Sequence, residues 1–257
     1  MKNLLLTVFL ISGLVWMGKA QSSIRQFDTV QFNKQLEFAN QLVENEFFTQ
    51  MAIDKFSQME DVSAIEWFSY KQNNEWFTVG GNVSGNKFKI IYHVAYDTLF
   101  STTDYKAAFD TSRLNTAGSA LSLANIQFQI IRDTSSIYFN SFVINNPDET
   151  ISIFYFPAFQ PSGQALYGYE WEYIFDKTGK NLLSRNAFTN ILTGVWIGQP
   201  RELWLNYRNT DKPTLGSVFF AQSFRDYFTR IRIDTRISTS TTTKDANGNY
   251  TWTHKMK

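Results

Sequence analysis

Glu170 and Glu172 stand one residue apart in the run Tyr167-Gly168-Tyr169-Glu170-Trp171-Glu172-Tyr173-Ile174-Phe175-Asp176. On a β-strand, residues two apart share a face, and their backbones lie roughly 6 to 7 Å apart. Cleavage of a glycosidic bond requires two carboxyl groups about 5 to 9.5 Å apart, one of them with a raised pKa. The pair is therefore the candidate catalytic group of a carbohydrate-active enzyme. The same alternation also describes an ordinary amphipathic strand. Tyr167, Tyr169, Trp171, Tyr173 and Phe175 would then meet a core, while Glu170, Glu172 and Asp176 meet water. Carboxylates on a wet face keep ordinary pKa values, so the amphipathic strand is the preferred reading.

Aromatic residues make up 17% of the chain, and rings in that number mostly fill cores. Some remain for recognition. The stretch from Pro157 to Tyr169, with Pro161, Gly163 and Gly168, reads as an exposed loop flanked by rings. Phe159, Tyr167, Tyr169 and Trp171 are its candidate ligand-binding residues.

Other patterns are weaker. Ser84-Gly85-Asn86-Lys87, Tyr138-Phe139-Asn140 and Lys177-Thr178-Gly179 follow the order S-x-x-K, Y-x-N, K-T-G of serine β-lactamases and penicillin-binding proteins. In that family the serine opens a buried helix. Here Ser84 falls in a Gly-Asn turn between strands and Lys177-Thr178-Gly179 in a hairpin turn, so both read as turns. Arg230, Arg232 and Arg236 alternate with apolar residues and read as a solvated, partly paired strand face. His93 and Asp97 share a strand face but are too few for a metal site.

Without cysteine the chain has no disulfide, thiolate metal site or cysteine nucleophile, and its two histidines leave little imidazole chemistry. The 24 Lys and Arg nearly balance the 23 Asp and Glu, which gives no bulk attraction for nucleic acid. No cofactor and no metal are expected. Met1-Lys2-Asn3, the apolar run Leu4 to Met17 and Gly18-Lys19-Ala20 have the layout of a secretory signal peptide cleaved after Ala20, with no cysteine there to carry a lipid. The expected location is periplasmic or secreted, in a bacterial envelope, with no transmembrane segment after signal removal.

The elements follow from periodicity. Asp28 and Gln31 have capping-box spacing, and Phe32, Leu36, Ala39, Val43 and Phe47 give an apolar stripe, which predicts a helix from there to about Phe56. The period then falls to two, predicting strands at 65–70, 75–83 and 87–97. Leu114, Ala117, Leu121, Ala124, Phe128 and Ile131 predict a second helix over 110–132. Strands are expected at 136–144, 150–157, 166–176 and 180–184, a short helix after Asn186, and strands at 201–207, 229–242 and 249–255.

Together these predict an α+β fold of two long helices packed on antiparallel, meander-type curved sheets, leaving open two similar helix-plus-meander halves. Residues 1–20 form the signal and 21–257 one compact unit, with subdomains 21–100 and 101–257 left open. The function expected is a non-enzymatic binding or envelope module that recognises a protein, peptide or glycan of the cell envelope. A glycoside hydrolase-like enzyme using Glu170 and Glu172 is the alternative.

Overall fold

The computed structural model describes residues 26–58, 65–84, 87–96, 102–104, 111–198 and 201–257. The signal-peptide reading, the cleavage point after Ala20 and Asp97 lie outside these residues. Helix α1 (Thr29–Ser57) opens the described chain, followed by β1 (Glu66–Gln72), β2 (Glu75–Ser84), β3 (Lys87–Tyr96) and β4 (Thr102–Asp104). Helix α2 (Thr111–Ser135) leads to β5 (Phe139–Asn145), β6 (Ile151–Pro157), β7 (Gln164–Phe175) and β8 (Leu182–Trp196). Strand β9 (Glu202–Tyr207), helix α3 (Leu215–Phe224), β10 (Arg230–Thr235), β11 (Ser238–Lys244) and β12 (Tyr250–Met256) complete it.

The fold is α+β, with three helices among the described residues and meander-like sheets. The first sheet runs β1-β2-β3-β4, the second β5-β6-β7-β8 and the third β12-β11-β10-β9. Every pairing is antiparallel except β9 with β10, which α3 connects.

Local chemistry sets the ends of these elements. The Asp28 carboxylate accepts the Gln31 N–H at 2.9 Å, and the Phe27 ring lies 5.7 Å from that of Phe32, completing cap and staple. Asn73 and Asn74 both take positive φ, as a two-residue hairpin of primed type requires. At the turn between β7 and β8, Asp176 accepts from the N–H groups of Thr178, Lys180 and Asn181, which identifies Lys177-Thr178-Gly179 as a turn. The Asn181 amide at 2.7 Å and the Thr178 hydroxyl at 2.8 Å donate to it as well, and these side-chain donors, more than the backbone ones, favour the ionised carboxylate and draw its pKa down to about 2.

Three expectations are corrected. Helix α3 was not anticipated, because Gly216 to Gln222 are buried on every side and show no 3.6-residue stripe. Strand β8 continues through 196 where a short helix after Asn186 was expected. Bulges against β7 insert extra residues, so Ala187, Phe188, Ile191 and Leu192 acquire helix-like spacing within a strand. The single strand expected over 229–242 breaks at Arg236-Ile237, where the Thr235 hydroxyl accepts the Ser238 N–H at 3.0 Å. Arg236 therefore leaves the arginine face and pairs with Asp211, while Arg230 and Arg232 pair with Glu202.

Helix α1 positions both ends of the molecule. Its buried residues are Phe32, Ala39, Leu42, Asn45, Phe48, Ala52 and Phe56, so Phe47 stays half exposed and the stripe drifts from the one expected. The first half packs with α3 and the third sheet, and the second half with the first sheet. The second sheet separates two cores, one shared with α1, α3 and the third sheet, the other with α2 and the first sheet. Strands β1 and β5, edges of their own sheets, meet along a seam beneath α1. There Asn45 donates to the Ser69 carbonyl at 2.7 Å, satisfying an edge carbonyl from a helix.

Candidate functional site

Strand β7 does not keep the alternation its sequence suggests. Gly168 has φ +83° and Tyr169 φ +56°, and the register against β8 shifts there. A Cβ on Gly168 would stand 1.7 Å from the Ile191 carbonyl oxygen, so only glycine allows β8 this close. The bulge splits the aromatic face. Tyr167 belongs to the core shared with α3, its ring 5.9 Å from Tyr207 and 5.5 Å from Phe220. Trp171, Tyr173 and Phe175 belong to the core under α2. Tyr169, half-buried, packs with Phe139 and Trp171.

The bulge also carries Glu170 inward, to 1% exposure, rather than into water. The Tyr207 hydroxyl donates to its Oε1 at 2.6 Å and the Thr214 hydroxyl at 3.0 Å. The Gly216 N–H, in the first turn of α3, approaches the carboxylate without completing a hydrogen bond of good geometry to Oε2. Burial dominates over these donors and pushes the Glu170 pKa up to about 7. The space beside it is about 10 Å³, lined by Phe156, Phe219 and Phe220, room for about one water molecule. Glu172 is occupied differently, accepting from Ser152 at 3.0 Å and from Asn186 at 3.1 Å. Both carboxylates thus hold neighbouring strands or helices.

Phe159 is 49% exposed on the turn between β6 and β7. Gln160 anchors that turn: its side chain accepts the Tyr138 N–H at 3.0 Å and donates to the Ala158 carbonyl at 2.6 Å. Next to it, Gly163 lies beneath the exposed Trp196 ring, which ends β8. Strand β8 is an edge of the second sheet and runs 15 residues. Leu182, Leu183, Phe188, Ile191, Leu192 and Trp196 are all exposed along it. Its one charged residue, Arg185, sits over the Trp171 ring, 5.4 Å from its centroid.

Two clefts open along the β1–β5 seam, on either side of the Asn45–Ser69 contact. The larger, about 500 Å³, is lined by Gln41, Lys71, Trp76, Arg113 and Asn145. The smaller, about 290 Å³, holds Glu46, Glu66, Asn125, Arg132, Asn140 and Tyr155. The sequence reading passed over Glu46 and Glu66. The available signal was the repeated Glu-Trp-Phe at 66–68 and 75–77, which marks two adjacent strands but not the cleft beside one of them. No cluster of metal-ligating side chains occurs among the described residues, and no described helix is long and apolar enough to cross a membrane. No protein-family profile matches the chain, and neither a curated protein nor a solved structure is significantly similar to it.

Proposed function

We propose that this protein is an exported, non-enzymatic envelope module that captures an extended, apolar polypeptide segment along the edge of β8, which is unpaired among the described residues. The observation that carries this reading is the chemistry of that edge. Edge strands ordinarily carry Lys, Pro or inward-pointing charge, which discourage pairing with another chain. Strand β8 has no Lys, no Pro and no acidic residue, and its only arginine is folded back onto Trp171. An incoming strand gains backbone hydrogen bonds along the edge and apolar contacts with Leu183, Phe188, Ile191 and Trp196, the mode known as β-augmentation. Phe159 at the adjoining turn extends the same apolar surface.

Export rests on the amino-terminal pattern ending at Ala20 and on the absence of cysteine, which together suit a periplasmic or secreted bacterial protein. Residues 21–257 are taken as one unit, because α1 packs against elements from both ends of the chain. Glu170 and Glu172 contribute as struts. The hydrolase reading retains one favourable feature, the high pKa of Glu170, but lacks room for a sugar ring beside it.

The test is binding of a synthetic, extended Val/Ile-rich peptide, followed by fluorescence anisotropy, to the wild type and to an Ile191→Lys, Leu183→Lys double variant. Both positions are exposed, so the fold tolerates the change. Binding that disappears in the double variant supports the edge. Undiminished binding, or none to the wild type, argues against it.

A further inference from the structure

We infer that the smaller seam cleft is a second recognition site, independent of the β8 edge, that binds a neutral carbohydrate ring between Glu46 on α1 and Glu66 on β1.

The cleft, about 290 Å³, is near the lower limit of small-molecule sites and suits one or two sugar rings. Asn140 on β5 donates to Glu46 Oε1 and Asn125 on α2 donates to Glu66 Oε2, each at 2.5 Å. Tyr155 in turn donates to Asn125 Oδ1 at 2.7 Å, which fixes that amide with its N–H toward the carboxylate. Two elements, α1 and β1, thus aim carboxylate acceptors at one space, each held there by an amide from α2 or β5. The other oxygen of each carboxylate has no partner among the described residues, so each retains capacity to accept from a ligand. Burial raises the pKa of both groups, against the opposing effect of the Asn140 amide on Glu46 and of Arg132 and the Asn125 amide on Glu66.

The site also offers donors. Arg132 acts electrostatically on Glu66 from beyond ion-pair contact. Trp67, 7% exposed, is one of the residues lining the cleft, and its indole N–H is buried without a partner. The opposite, Cζ3 corner of its ring rests on Gly80 of β2, where a Cβ would come within 2.6 Å. The aromatic walls are Trp67, Phe139 and the stacked pair Phe128 and Tyr155, whose centroids are 4.1 Å apart.

This combination selects a class of ligand. An anion would face two glutamates. A purely apolar ligand would strip the carboxylates of water and return no donor. Arg132 weakens the pull on a cation, and a cation has nothing to accept from the Trp67 N–H. A sugar supplies hydroxyl donors for Glu46 and Glu66, acceptor oxygens for Trp67 and Arg132, and an apolar ring face for the aromatic walls.

The experiment is a tryptophan-fluorescence titration of the full chain with cellobiose and N,N′-diacetylchitobiose, with tetramethylammonium chloride as the cation probe. Saturable binding of at least one disaccharide is expected, weakened about tenfold or more by Glu46→Gln and by Glu66→Gln, the usual cost of a lost hydrogen bond to a charged group. Glu149→Gln, on an exposed turn, is expected to bind as the wild type does. Disaccharide binding that is absent, or equal in the wild type and all cleft variants, overturns the inference, as does binding of tetramethylammonium alone.

Discussion

The Tyr207 hydroxyl, at the end of β9, donates to Oε1 of Glu170 on β7 across 2.6 Å, and neither residue is more than 1% exposed. One carboxylate thereby ties the second sheet to the third and, through Thr214, to the N-cap of α3. The positive end of the α3 dipole favours the ionised form, while burial opposes it more strongly.

Stability should therefore fall as the pH rises through this group's range. The folded-state pKa is about 7 against an ordinary 4.5, so between these values the native state holds the proton more tightly than the unfolded chain. The loss is complete above pH 7 and amounts to about 3 kcal/mol. His93 works in the opposite sense. Burial lowers its pKa to about 4 from 6.5, so its contribution grows as the pH rises between those values. Between pH 4.5 and pH 6.5 the two oppose each other, and comparison with a variant lacking only the Glu170 carboxylate isolates its contribution. Urea titrations of the wild type and Glu170→Gln from pH 4 to pH 8 should show the stability difference between them shifting steadily in favour of the variant. Parallel curves would contradict the assignment.

Gly216→Ala should destabilise the fold by about 1 to 3 kcal/mol through overpacking. The new Cβ would lie 2.3 Å from the Glu170 Cδ, and the carboxylate is fixed by Tyr207 and Thr214. Combining it with Glu170→Ala should recover much of the loss, which differential scanning calorimetry on the two single variants and the double variant measures.

Gly168→Ala should be the more damaging glycine substitution. It combines φ +83° with a Cβ position 1.7 Å from the Ile191 oxygen, so it strains the bulge that turns Glu170 inward. A fall in melting temperature larger than that of Gly216→Ala is expected, accompanied by faster amide exchange in β8.

Asn45→Ala should cost about 1 to 3 kcal/mol, because it leaves the Ser69 carbonyl at the β1 edge without its donor. Asn45→Leu, which also adds bulk at the seam, should recover none of that loss. Chemical denaturation of both variants checks this.

The strongly patterned parts of the fold were legible from residue types alone. The Asp28 cap, the first meander and the Leu114-to-Phe128 stripe of α2 each carry a local signal that tertiary packing does not override. Helix α3 was not legible, since a helix buried all round has no polar face to reveal its period. Glu170 was singled out from its spacing, yet its surroundings depend on a bulge at Gly168 and Tyr169 that a period-two count cannot contain. Glu46 and Glu66 share a cleft only because β1 and β5, far apart in sequence, meet under α1.

The most direct measurement of the β8 docking edge is amide hydrogen–deuterium exchange of the full chain, with and without a synthetic extended Val/Ile-rich peptide. Slowed exchange across residues 182–196, absent in the Ile191→Lys, Leu183→Lys double variant, is the predicted result. Exchange in β8 that the peptide leaves unchanged, or protection appearing only on another surface, would contradict it.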